Sequence, residues 1–337
     1  MSGPATVLIV SDIHHAGAAE RERRGYEIAC APNWPLRLLM RAYRGHVWLR
    51  DPLGNGKFLD AFLHRSGSPD FVITNGDFSA DSRFVGVSDD AALASATECL
   101  AKLRTKFGEK LHATIGDHEL GKMSLVGGHG GLRLASWPRT TGGLGLHPFW
   151  RHEWGSYVFM GVTSTLLALP IYEREMLVAE RAEWESLRAA HLDEVRAAFA
   201  RLSPHQRVLL FCHDPTALPF LSRVREVRDR LGQIEATVIG HLHSELVLRT
   251  GHVLSGMPMI PFLGVSVRRM STGLKEAKLW RPFNVRLCPS LTGIQLLKDG
   301  GWLTVELDRD ARHLAKFRFH PLPWSNVHQP LTCTNQH

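Results

Sequence analysis

Apolar residues along the chain fall into short runs that end in polar residues or glycine. The runs are β-branched or otherwise apolar and cover residues 6–10, 71–74, 112–115, 157–162, 207–211 and 236–240. Runs of this length, bounded in this way, predict strands. Between them, residues 88–106 and 172–201 carry acidic and basic residues at helical spacing, which predicts helices. The alternation of strands with helices predicts an α/β fold.

Two segments interrupt this alternation. Residues 18–56 are rich in arginine and aromatic residues and predict an insertion after the first strand. Residues 124–156 are rich in Gly, His and Trp, and we expect them to form a loop that covers part of the molecule. Beyond residue 245, Gly, Pro and Trp separate short strands such as 301–307. We therefore expect one domain over residues 1–320 and a loosely packed tail over 321–337.

The composition is that of a globular protein with a substantial core. Of the 337 residues, 44% are hydrophobic, which suffices for one large domain or two ordinary ones. The five cysteines include no CxxC pair, so neither a disulfide framework nor a thiolate zinc site is indicated. No run approaches the roughly 18 apolar residues of a membrane-spanning helix, and the N-terminus lacks the pattern of a secretory leader. We expect a cytoplasmic protein.

The formal net charge of +7 favours anionic partners. Phosphorylated metabolites, nucleic acid and an acidic membrane surface all suit a positive field. A phosphorylated small molecule is the partner that we expect, nucleic acid is not favoured, and peripheral membrane contact stays open. The sequence leaves the oligomeric state undetermined.

Five of the predicted strands are followed by side chains that bind metals. These side chains are Asp12 and His14; Asp77; Asp117, His118 and Glu119; His213 and Asp214; and His241 and His243. The carboxyl ends of strands in an α/β sheet gather along one edge, so the clusters are expected to converge. Several carboxylates and imidazoles at one edge would be unstable unless cations neutralised them. Mixed oxygen and nitrogen ligands suit Mn, Fe or Zn, and a pair of such ions is an arrangement that hydrolyses phosphate esters.

The same residues form five short motifs in a fixed order. They are AspIleHis (12–14), GlyAsp (76–77), GlyAspHisGlu (116–119), His213 and GlyHisLeuHis (240–243). Together they resemble the D-x-H, G-D, G-N-H-D/E, H and G-H-x-H pattern of the calcineurin-like metallophosphoesterases. The resemblance implies a four-layer α/β fold of two mixed β-sheets flanked by helices. It also implies a dinuclear metal centre and hydrolysis of a phosphoester.

The resemblance further implies a role for each motif residue. Asp12, His14 and His243 would bind the first ion, and Asp117, His213 and His241 the second. Asp77 would bridge the two ions. His118 would lie near the leaving group, where it would donate a proton or stabilise charge.

Asp117 departs from the family pattern, which usually has Asn at this position. A third carboxylate would lower the net charge of two divalent ions and their protein ligands from +2 to +1. Such a centre would bind its ions more tightly and polarise substrate less, or would favour a higher oxidation state. The alternative is that Asp117 simply replaces Asn as an oxygen ligand, and the sequence leaves both open.

Other residues near the motifs are candidates for supporting or substrate-binding roles. His15 would contact substrate phosphate, support a metal ligand from behind or lie on the surface. Asn75 and Asp81 would orient ligands through hydrogen bonds, or would cap a helix or form a turn. Glu119 would support His118 or a backbone amide. In the insertion, arginines that include Arg41 and Arg44 would bind substrate phosphate or form a solvated helix face.

The leading hypothesis is a hydrolase acting on phosphoric esters that uses two divalent or mixed-valence ions. A hydroxide that bridges the ions would attack phosphorus in line, and a phosphodiester or pyrophosphate bond is favoured. Nucleotide and lipid-linked substrates both stay open. The alternative is a non-catalytic metal-binding scaffold or interaction protein with the same fold.

Overall fold

The computed structural model describes residues 4–258 and 265–324, which form two β-sheets with helices around them. The strands are β1 (Ala5–Val10), β2 (Phe71–Asn75), β3 (Leu111–Thr114), β4 (Phe149–Trp154), β5 (Tyr157–Val162), β6 (Arg207–Cys212), β7 (Ile234–Ile239), β8 (Val285–Leu287), β9 (Gly301–Leu307) and β10 (Lys316–Pro321). Six of them match the six predicted runs to within about two residues at each end.

The helices all lie between the first strand and the last strand of the described chain. The helices are α1 (Ala18–Arg21), α2 (Tyr26–Ala29), α3 (Trp34–His46), α4 (Gly56–Arg65), α5 (Asp90–Phe107), α6 (Asp117–Leu120), α7 (Ser136–Pro138), α8 (Ser164–Leu167), α9 (Arg181–Ala200), α10 (Leu218–Leu221), α11 (Arg225–Arg228), α12 (Glu245–Val253) and α13 (Val265–Lys275). The insertion predicted after the first strand contains α1, α2 and α3.

Each sheet has five strands and mixes parallel with antiparallel pairs. The first sheet has the order β10-β9-β1-β2-β3, in which β1, β2 and β3 are parallel and β9 is antiparallel to both of its neighbours. The second has the order β4-β5-β6-β7-β8, in which only β4 is antiparallel. The predicted α/β fold of two mixed sheets flanked by helices is therefore confirmed.

Alternate residues of the central strands face two different cores. On β1, Val7 and Ile9 belong to the core between the sheets, together with residues of β5, β6, β7 and β9. Leu8 and Val10 belong to the core that includes residues of α4, α5 and α9. A strand that is buried on both faces must be apolar throughout, which explains why the predicted strands are continuous apolar runs.

The carboxyl ends of the parallel strands lie at one edge of the molecule, where the two sheets are joined. Ser11, after β1, pairs with Ser290, after β8, in an isolated parallel bridge. The side-chain amide of Asn75, at the end of β2, donates to the Val238 carbonyl of β7 at 3.3 Å. The polar motifs that follow these strands are therefore brought to a common edge.

Two sequence predictions are wrong in detail. The helix predicted over residues 172–201 begins only at Arg181, because residues 173–180 form short 3-10 turns that direct Glu175 inward. The loop predicted over 124–156 ends in β4, an edge strand. Its residues are only partly buried and carry His, Arg and Glu, so they lack the apolar run of a central strand.

The remaining predictions concern the tail, the cysteines and the membrane. At the start of the predicted loose tail, Leu322 is buried and the Nε1–H group of Trp324 donates to the Thr292 carbonyl. The rest of that tail, residues 325–337, lies outside the described residues. The four described cysteines form no disulfide. In the described ranges, no helix is both long and apolar enough to cross a membrane.

Candidate metal centre

The motif residues meet at the shared edge of the two sheets. Four overlapping groups have possible ligand atoms within 4.8 Å of one another: Asp12, His14 and His243; Asp117, His213 and His241; Asp12, Asp77 and His213; and His14, Asp77 and His118. The structure therefore brings together all seven residues that the resemblance assigns to the metals, and His118 with them. Asp77 lies between the two sets of three.

The backbone at this edge is strained. Of the seven candidate ligands, Asp12, His14, Asp77, His241 and His243 have left-handed backbone conformations, with φ between 47° and 61°. Such conformations are uncommon for residues other than glycine and concentrate at functional sites. After β1, Asp12 and His14 therefore do not continue the extended backbone of the strand.

Three glycines allow the backbone to approach the carboxylates closely. A Cβ atom at Gly116 would overlap the Asp77 side chain, and one at Gly240 would overlap that of Asp12. At Gly76, which has a φ of 86°, a Cβ atom would lie 2.6 Å from the Cα atom of Gly116. Glycine is therefore required at the turns that carry the ligands.

Backbone carbonyls orient three of the imidazoles. The Nδ1 atoms of His213, His118 and His14 lie 2.5, 3.1 and 3.4 Å from the carbonyl oxygens of Asn75, Ala80 and Ser79, respectively. An Nδ1–H that donates to a carbonyl leaves Nε2 with a free lone pair, and these Nε2 atoms face the carboxylates. His241 is turned the other way, with Nδ1 3.2 Å from Asp117 Oδ1.

Several acceptor atoms point at each other in the centre. His14 Nε2 lies 3.2 Å from His243 Nε2, which in turn lies 3.3 Å from Asp12 Oδ1. Asp77 Oδ2 is buried and lies 3.1 Å from His213 Nε2. Oxygen and imidazole nitrogen atoms that converge in this way are the donor set of first-row divalent ions, so the residues fit such metals.

The electrostatics of the centre also require positive charge. Burial raises the pKa of Asp12, although His213 opposes this effect. Burial opposes ionisation of Asp77 as well, yet His213 and His118 hold the pKa of that carboxyl below its usual value. Burial lowers the pKa of His118 to about 3. Three buried carboxylates at such short range need a compensating charge, which bound cations would supply.

Lys122 is a residue of the centre that the sequence analysis missed. Its Nζ atom forms an ion pair with Asp117 Oδ2 at 3.1 Å, while Asp117 Oδ1 faces His213 and His241. Despite burial, Asp117 and Asp77 hold the pKa of Lys122 above its ordinary value. Only its position three residues after the Asp-His-Glu motif could have drawn attention to it.

The supporting residues divide into those that reach the centre and those that do not. Glu119 accepts hydrogen bonds from the backbone N–H groups of Asp77, Phe78 and Gly116 at 2.8–3.0 Å, as expected for support of backbone amides. Burial and the Asp77 charge raise the pKa of Glu119 to about 7. Asn75 touches the centre mainly through its carbonyl, which lies against His213.

Asp81 and His15 face other parts of the structure. Asp81 accepts hydrogen bonds from the N–H groups of Val85 and Gly86 at 3.0 and 2.9 Å and so forms a turn. His15 Nε2 lies 3.2 Å from Glu98 of α5. The contacts of Asp81 match the turn that the sequence left open as an alternative, whereas His15 is 1% exposed and so does not lie on the surface.

Asp214 supports His241 from behind. One of its oxygens accepts the Tyr172 hydroxyl at 2.7 Å, and the same oxygen lies 3.9 Å from His241 Nε2. Tyr172 was also missed, because its buried contact depends on a turn that the sequence predicted as helix.

A cavity of about 410 Å³ opens beside the centre. His14, His118, His241 and His243 line one side of it, and residues of the predicted insertion line another. Arg44 lies at this cavity and forms an ion pair with Glu27. Arg41 is exposed and is not among the lining residues.

Comparison with known proteins gives distant structural matches. No protein-family profile and no curated protein matches the chain. A dimetal phosphatase from Danio rerio is 14% identical and covers 91% of this chain and 93% of its own, with a TM-score of 0.44. The phosphopantetheinyl hydrolase PptH from Mycobacterium tuberculosis is 16% identical and covers 72% and 84%, with a TM-score of 0.36.

A third match is the purple acid phosphatase PPD1 from yellow lupin seeds. It is 11% identical and covers 97% of this chain and 55% of its own, with a TM-score of 0.38. The identities and TM-scores are too low to transfer an activity, so the fold is assigned from the strand orders and the site from its own geometry.

Proposed function

We propose that this chain is a metal-dependent phosphoesterase with two divalent or mixed-valence ions. The observation that supports the proposal best is the pair of ligand sets, Asp12, His14 and His243 on one side and Asp117, His213 and His241 on the other, with Asp77 between them. When bound, such ions would activate a water molecule and neutralise the charge that develops on the phosphoryl oxygens. Mn, Fe and Zn ions fit this combination of carboxylate oxygen and imidazole nitrogen ligands.

The protein residues would divide the remaining work. The carbonyls behind His213 and His14 hold the Nε2 atoms toward the centre, so little reorganisation is needed when substrate binds. His118 lines the cavity and presents Nε2 3.8 Å from Asp77 Oδ2. There it would assist the departing alcohol oxygen as a proton donor only in its doubly protonated form, because Nδ1–H already donates to the Ala80 carbonyl. The partner would be a phosphorylated small molecule. The bond that is hydrolysed would be a phosphodiester or a pyrophosphate bond.

Metal analysis and chelation test this proposal. We expect purified protein to contain close to two transition-metal ions per chain by mass spectrometry, and to hydrolyse at least one ester among p-nitrophenyl phosphate, its diesters and nucleoside diphosphates with added Mn²⁺. EDTA should abolish the activity. Asp77→Asn should do the same, whereas Asp310→Asn, at an exposed aspartate of the β9–β10 connection, should leave it unchanged.

The possible results separate the two classes of function. Turnover that EDTA leaves intact would contradict the proposal. Two tightly bound ions without turnover of any of these esters would favour the non-catalytic scaffold. The strained ligand turns argue against a scaffold, because strain of this kind persists where a site depends on it.

A further inference from the structure

The walls of the cavity beside the centre are mainly apolar and aromatic. They come from the predicted insertion, from the segment after α6, from α12 and from the segment that includes α13. The apolar lining includes Tyr26, Tyr43, Trp48, Phe84, Val247 and Trp280. Trp48 also lies over His243, with a ring-centroid distance of 5.1 Å, so the apolar wall begins directly at the candidate metal ligands.

Every basic side chain that lines this cavity, among the described residues, lies against a carboxylate. Arg44 pairs with Glu27, and Lys122 pairs with Asp117 at 3.1 Å. Arg269 pairs with the buried Glu175 at 2.8 Å. A second phosphate group would therefore meet cations whose charge a neighbouring carboxylate already neutralises, so it would gain little from them.

We propose that the substrate is a phosphoester with an apolar organic group and no second phosphate. This inference rests on the proposed function, which places the scissile phosphate at the metal centre. The cavity volume of about 410 Å³ is within the range of small-molecule sites. A hydrocarbon or aromatic group in it would leave contact with water, whereas a diphosphate would find no unpaired cation along the walls that the structure describes. The sequence favoured a phosphodiester or a pyrophosphate bond. Of these two, the proposal selects the phosphodiester bond.

A homologous series of esters measures this preference. Methyl, butyl and octyl p-nitrophenyl phosphate release the same p-nitrophenolate, so only the alkyl group differs. Each buried methylene should raise kcat/KM by about threefold, mainly through KM, until the cavity is filled. We expect octyl to exceed methyl by at least tenfold and to exceed ADP as well. A flat or falling series, or a preference for ADP, would overturn the inference.

Binding without turnover separates this inference from the proposed function. Methyl-, butyl- and octylphosphonate are not hydrolysed, and their affinity for the Mn²⁺-loaded protein can be measured by calorimetry. Tighter binding of the octyl compound without hydrolysis of any ester would support the cavity assignment and contradict the enzyme. Equal binding of all three phosphonates, together with hydrolysis, would support the enzyme and contradict the cavity assignment.

Two valines of α12 provide a matched pair of variants. Val247 lines the cavity, whereas Val253 is 84% exposed and is not among its lining residues. Val247→Gln should lower the octyl-to-methyl ratio by at least threefold, and Val253→Gln should leave it unchanged. Thermal melts of both variants establish that they fold. An equal ratio in two folded variants would count against the apolar wall.

Discussion

At the scale of single residues, the pair formed by Asp117 and Lys122 changes how the centre must be understood. The third carboxylate that distinguishes this chain from the family pattern would lower the charge of a two-ion centre by one. The ammonium group of Lys122 compensates for this added negative charge. Its Nζ atom lies 3.1 Å from Asp117 Oδ2, the oxygen that faces away from His213 and His241. Carboxylate and ammonium together therefore have the net charge of the neutral amide that the family usually has. The pairing also favours coordination through Oδ1 alone.

Metal affinity in charge-changing variants tests this compensation. Lys122→Met removes a positive charge close to the ions and should tighten Mn²⁺ binding by about tenfold or more, whereas Asp117→Asn should weaken it by a similar factor. Calorimetric titration of chelator-treated protein measures both effects. The double variant should return to within a few-fold of the original affinity.

A remote lysine serves as the control for these variants. Lys106→Met, at the exposed end of α5, should leave the affinity unchanged. If Lys122→Met weakens Mn²⁺ binding, Lys122 shapes the site and the charge argument is wrong.

At the scale of elements, the strands follow from the sequence better than the helices do. The apolar runs predict β1, β2, β5, β6 and β7 because these strands are buried along most of their length. The run that predicts β3 belongs to an edge strand whose first three residues are only partly buried. The charged pattern of 172–201 continues through residues 172–180, but the helix begins only at Arg181, since Glu175 is buried against Arg269. That contact joins residues far apart in the sequence, and no local pattern reveals it.

The start of α5 shows how one side chain supports an element. Asp89 is the N-cap: its carboxylate accepts the Ala92 N–H at 3.2 Å and pairs with Arg23 of the insertion at 2.6 Å. Burial opposes ionisation, but Arg23 and the Ala92 N–H hold the pKa of Asp89 below its ordinary value. Because its folded pKa is lowered, Asp89 stabilises the fold above about pH 4, and this contribution is lost as the pH falls through the lower folded value.

Substitution of Asp89 should therefore destabilise the protein by a measurable amount. At pH 7 we expect Asp89→Ala to lower the free energy of unfolding by about 2 kcal/mol, from the lost cap and ion pair together. Asp89→Asn keeps a capping side chain and should cost about half as much. Urea titration measures both, and the neighbouring, exposed Asp90 provides the control substitution Asp90→Ala. Equal stability of Asp89→Ala and the original protein would refute the role of this cap.

At the scale of the whole molecule, the candidate centre joins the two sheets. Asp12, His14, Asp77 and Asp117 follow strands of the first sheet, and His213, His241 and His243 follow strands of the second. Ions held by both sets would bind the folded chain and not the unfolded one, because unfolding separates the ligands. Metal binding is therefore expected to stabilise the whole fold and not only the local turns.

Removal of the ions should lower the thermal stability of the entire chain. At an Mn²⁺ concentration about one hundred times Kd, the stabilisation is about 2.7 kcal/mol. Calorimetry should show a single transition whose Tm falls when EDTA is added and recovers with Mn²⁺. In Asp77→Ala the difference between the two conditions should shrink. If neither EDTA nor Mn²⁺ changed the Tm of the original protein, two metal-ion sites between the sheets would be contradicted.

The sequence by itself determined the strands and the identity and order of the polar residues that follow them, because both are local: burial on two faces makes a run apolar, and a turn after a strand exposes its polar residues. Only the tertiary structure decided that Lys122 pairs with Asp117, that Glu119 binds backbone N–H groups, and that the insertion lines an apolar cavity together with residues of α12 and α13. The arginines at this cavity are paired with carboxylates. These features depend on contacts between segments that are distant along the chain. Neither hydrophobic periodicity nor motif spacing contains that information.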